Sequence, residues 1–147
     1  MTNFIYNLFA YPSAWLTAVF HDAAIASANG GELWILLVPR PIHVTPECCG
    51  FNFFVLLGGY TLLFILRRYP RPCAGPAVLL ALPVVYVTTI CANAVRMTCA
   101  YHVACLSRTL FPACFQPVIH MAVGIAVFLS ALILSHLLIE RIGLYGK

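Results

Sequence analysis

The sequence predicts an all-α membrane protein, with three transmembrane helices and an N-terminal helix that either spans the bilayer or lies in its interface. Three observations predict it. Of 147 residues, 63% are hydrophobic and only 8% are charged, whereas a soluble domain carries roughly a quarter of its residues as charge. Mean hydropathy is +0.96. The apolar residues are also gathered into mostly apolar runs of about 20, the length that crosses a hydrocarbon core about 30 Å thick. The length suits one domain over residues 1–147, with an N-terminal interfacial or extracytoplasmic segment to about residue 47 and a three-helix core over about 48–140.

Residues 4–20 are apolar but interrupted by Asn7, Pro12, Ser13 and Thr17, and they end in His21–Asp22. They form either a fourth span or an interfacial helix with Tyr6, Tyr11 and Trp15 at headgroup depth. Without a basic leading region or a cleavage site, the stretch does not read as a removable signal peptide. Pro39, Pro41 and Pro46 break any helix across residues 30–47, leaving short extended pieces at 33–38 and 42–45. The three spans follow at about 49–66, 74–95 and 117–139. Gly58, Gly59 and Pro83 would weaken a soluble helix, but spanning helices tolerate them and use them for close packing. No internal repeat or low-complexity segment is visible.

Arg67, Arg68 and Arg71 form the densest basic cluster, between the first two spans, and Arg141 and Lys147 follow the third. By the positive-inside rule both groups are cytoplasmic. The start of the first span, the end of the second and the start of the third therefore face outward. The net charge of +4 sets topology, so the expected partner is the lipid bilayer of the cell's inner (plasma) membrane and not a nucleic acid. Seven cysteines are an odd count and lack zinc-ligand spacing. Cys91, Cys99, Cys105 and Cys114 lie in or beside apolar stretches, or in the loop expected after the second span, and read as small hydrophobes. No cofactor or metal site is expected.

The vicinal pair Cys48–Cys49 stands apart. Cys48 opens the first span, Arg96 closes the second with Asn93 one turn earlier, and His120 lies in the first turn of the third. All three reach the same outer boundary, and ionisable groups at spanning segments point to function. A thiolate is a nucleophile whose pKa falls beside Arg or protonated His. His120 is placed to take the thiol proton and return it to a leaving amine. Arg96 is suited to stabilise a tetrahedral oxyanion or to hold the substrate backbone.

These residues also sit in three motifs. Cys48-Cys49-Gly50 resembles the Cys-Ser/Ala-Gly motif of the exosortase/archaeosortase family; Asn93-Ala94-Val95-Arg96-Met97 resembles its Asn-x-x-Arg-Ile motif; and His120-Met121-Ala122-Val123-Gly124 resembles its His-x-x-x-Gly motif. The likeness covers about residues 30–140 and is closest to the short exosortase K branch. It implies a membrane cysteine peptidase or transpeptidase acting on membrane-anchored proteins that end in a sorting signal: a short motif, a spanning helix and a basic tail. It assigns Cys48 as nucleophile, His120 as acid/base and Arg96 as electrostatic stabiliser. Asn93 then supports Arg96, while Gly50 and Gly124 allow backbones to approach closely. Cys49 stands where the family has Ser or Ala, which leaves either thiol as the nucleophile, with the motif alignment favouring Cys48.

Two other readings compete. The outward Cys pair and the later cysteines suit a membrane thiol–disulfide oxidoreductase, though such enzymes generally use C-x-x-C and leave Arg96 and His120 without a role. The Gly58–Gly59 face suits a non-enzymatic assembly subunit of a larger membrane complex.

Overall fold

The computed structural model describes residues 3–28, 32–38, 40–45, 49–68 and 71–144. Helix α1 (Asn3–Phe20) leads into strands β1 (Ala24–Ala28), β2 (Glu32–Leu36) and β3 (Ile42–Val44), which pair in chain order as an antiparallel sheet. Helices α2 (Phe51–Arg68), α3 (Arg71–Leu110) and α4 (Gln116–Leu144) follow, with one 3-10 turn at Ala113–Phe115. Three of the helices are long and apolar enough to cross a membrane, at Phe51–Arg68, Ala74–Arg108 and Gln116–Arg141. The chain is an all-α membrane protein with a small sheet added. It divides into two compact units, Met1–Ala94 and Val95–Lys147.

In the first unit α1 is buried along one face. Tyr6, Phe9, Ala10, Ser13, Ala14, Thr17 and Ala18 are all buried, the spacing of one helical stripe. Small residues at Ala10, Ala14 and Ala18 let neighbouring backbones come close. Polar groups on this face are satisfied within the helix: Ser13 Oγ donates to the Phe9 carbonyl at 2.7 Å and Thr17 Oγ1 to the Ser13 carbonyl at 2.8 Å. Tyr86 on α3 donates to the Leu8 carbonyl at 2.7 Å, and Thr17 Oγ1 lies 3.4 Å from the Ala94 carbonyl. Both sequences rise together between these contacts, so α1 runs parallel to this part of α3. The Phe9 ring meets Phe51, Phe54 and Tyr86 at centroid distances of 5.7, 5.1 and 5.4 Å. The N-terminal stretch is thus a packed helix of the first unit, and it is not one of the three helices that qualify as spans.

The sheet buries Leu33, Ile35 and Val44. Leu33 pairs with Val44 across β2 and β3, and Ile35 lies two residues on, so all three share one face by the period-two rule. The Tyr6 hydroxyl on α1 donates to the Val44 carbonyl. Trp34 and His43 pair on the opposite face and stack at 4.4 Å. The extended pieces expected at 33–38 and 42–45 correspond to β2 and β3. Strand β1 was not expected: its sequence AIASA has low intrinsic strand preference and forms by pairing with β2.

The largest correction concerns α3. The second span was expected to end at residue 95, with Cys99 and Cys105 in a following loop. The helix instead continues to Leu110, a total of 40 residues. About 20 residues cross a hydrocarbon core, so the helix holds about twice the residues of one crossing. Cys99 and Cys105 are helical, and Cys114 lies in the 3-10 turn. In the second unit Ser107 Oγ donates to Gln116 Oε1 at 3.0 Å, tying the end of α3 to the start of α4.

Candidate functional site

In the first unit the site begins where the chain enters α2. Gly50 has φ +82°, the left-handed region that side chains disfavour, and its carbonyl accepts the Phe54 N–H at 3.1 Å to start the helix. A Cβ there would stand 3.2 Å from Asn93 Cγ. Conformation and space therefore both select glycine. Asn93 beneath it is fully buried at 0% exposure, where an amide must be hydrogen-bonded. Gly50 and Asn93, two of the expected supporting residues, are brought into contact. Cys49 is 3% exposed and carries a free thiol. Cys48, the expected nucleophile, lies outside the described residues.

In the second unit Arg96 and α4 make the other part. His120, Gly124 and Phe128 occur at i, i+4 and i+8, which places them on one row of α4. Arg96 lies across that row. Its Nε is 2.9 Å from the position a Cβ on Gly124 would take, and its Cζ is 5.4 Å from the Phe128 ring centroid. The arginine is only 8% exposed. The His-x-x-x-Gly spacing thus has a local meaning: glycine opens the row for the end of the arginine side chain, and the histidine stands one turn before it. His120 is exposed. It is the fifth residue of α4, just beyond the first turn where it was expected.

Arg96 was expected to close its helix at the outer boundary. It lies within α3, which continues beyond it to Leu110.

Sequence reasoning missed two residues. Phe128 packs on Arg96, and Thr17 approaches the Ala94 carbonyl within the Asn93–Arg96 segment. An aromatic among aliphatics gives no signal by itself, yet its spacing from His120 and Gly124 was readable. Cys91, Cys105 and Cys114 are exposed free thiols, and Cys99 is a half-buried one. Among the described residues, no three His, Cys, Asp or Glu side chains cluster as metal ligands would. No family model, curated protein or solved structure matches the chain.

Proposed function

We propose that this protein is a membrane-embedded cysteine peptidase or transpeptidase that processes the C-terminal sorting signals of membrane-anchored proteins at the extracytoplasmic face. The observation that carries the reading is the buried Arg96, seated on Gly124 in the same α4 row as His120. A buried arginine in a spanning helix is costly and is kept where its charge is used. The Gly50–Asn93 contact supports the same reading, because it fixes the turn that follows the cysteine pair.

In this mechanism the Cys48 thiolate attacks the scissile carbonyl carbon, and the electron pair of the C=O bond moves to oxygen. Arg96 stabilises that oxyanion. His120 takes the thiol proton and delivers it to the leaving amine as the C–N bond breaks, which leaves a thioester on Cys48. Water or an amine then attacks the thioester, giving hydrolysis or transfer. Burial of Cys49 disfavours it as the nucleophile, since attack requires access, and the motif alignment favours Cys48.

The test is co-expression with membrane-anchored candidates from the source genome that end in a spanning helix and a basic tail. Wild type is expected to shorten a candidate, while Cys48→Ala and Arg96→Ala leave it intact. Shortening that persists in both variants would reject the proposal. One observation favours the assembly-subunit reading instead: an apolar groove of about 220 Å³ between α2 and α3, lined by Gly58, Gly59, Leu62, Ala81 and Val85. That reading expects Gly59→Leu to matter and Cys48→Ala not to. The oxidoreductase reading expects Arg96→Ala to be silent.

A further inference from the structure

Two described residues of α4, Gly124 and Phe128, meet the Arg96 side chain. Gly124 leaves room where the guanidinium begins: a Cβ there would stand 2.9 Å from Nε and 3.7 Å from Cδ and Cζ. Phe128 meets the head, with Cζ 5.4 Å from the ring centroid. Room alone does not orient a guanidinium, because a long side chain keeps several rotamers unless something selects one. An aromatic face selects one: its quadrupole attracts the cation, and more strongly where water is excluded. Arg96 at 8% exposure meets that condition.

We infer that Phe128 is a positioning residue of Arg96, its ring holding the guanidinium in the orientation from which the N–H groups address a substrate carbonyl. The use made of that orientation rests on the peptidase reading. The ring–guanidinium clamp does not, and it is tested without substrate.

The full chain in detergent micelles is treated with phenylglyoxal, and modification of Arg96 is followed by peptide mass spectrometry against the exposed Arg108 in the same digest. Phe128→Leu is expected to raise the Arg96 rate by about threefold or more, and Phe128→Trp to leave it at or below wild type, since indole is the strongest ring partner. Equal rates in wild type and both variants would overturn the inference. So would an equal rise in both variants, which would make side-chain fit and not the ring face responsible. Alkylation of the buried Cys49 reports misfolding, and where Phe128→Leu exposes it, Phe128→Met replaces that variant under the same criteria. In the processing assay the same series separates the two ideas. Processing lost in Phe128→Leu and restored in Phe128→Trp joins the clamp to catalysis. The expected modification pattern with no processing by wild type leaves the clamp standing and counts against the peptidase reading alone.

Discussion

Helices α1 and α4 invert the rule that holds in water. Residues 116–141 of α4 are the most apolar of the three spans, yet only 6% of their most apolar stretch is buried within the protein. Helix α1 does not qualify as a span, carries Asn7, Pro12, Ser13 and Thr17, and buries a whole face that includes Ser13 and Thr17 at 0% exposure. In lipid there is no hydrophobic drive between helices, because the acyl chains are as apolar as leucine. Small and hydrogen-bonding residues mark packing instead. Leucine and isoleucine on α4, such as Ile125, Leu129, Ile133 and Leu137, are exposed for the same reason. The described exception on α4 is Gly124, which is buried against the Arg96 side chain. A glycine is thus a better guide to the packed part of α4 than any of its large apolar residues.

This contrast can be broken or sharpened by substitution. The largest effect is expected at Arg96: Arg96→Ala should lower the rate of substrate shortening by about 100- to 1,000-fold, the range for losing one oxyanion donor. Gly124→Val comes next. Its branched side chain meets Arg96 Nε, so it should destabilise the folded protein by about 1–3 kcal/mol and slow processing, read by thermal unfolding in detergent and by the co-expression assay. Ala14→Leu on α1 should cost about 1–3 kcal/mol by overpacking a fully buried position. Thr17→Val removes a hydroxyl that bonds backbone carbonyls and should cost about 1 kcal/mol or less. The smallest change is expected from Leu134→Ala on the exposed surface of α4, within about 0.5 kcal/mol. A Leu134→Ala loss as large as that of Ala14→Leu would undo the comparison.

The three spans were legible because apolar runs of bilayer length carry a strong signal. The extent of α3 was not, since reading by hydropathy stops at the first charge, Arg96. A second signal was available: residues 84–111 contain neither Gly nor Pro, so nothing in them ends a helix. The burial of α1 was hidden because its packing face is made of Ala, Ser and Thr, which look unremarkable on an apolar scale. In the site, the motifs marked Gly50, Asn93, Arg96, His120 and Gly124 but not their contacts: the glycines were expected to let backbones approach, and each instead meets a side chain, Asn93 at Gly50 and Arg96 at Gly124. Phe128 escaped because a phenylalanine between Val127 and Leu129 is ordinary in a spanning helix.

The decisive experiment is capture of the thioester. Wild type and Cys49→Ala, purified after co-expression with a processed substrate, should each carry a hydroxylamine-labile substrate adduct mapped to Cys48, and Cys48→Ala should carry none. Processing without any such adduct, or an adduct mapped to Cys49, would contradict the assignment of Cys48 as the nucleophile.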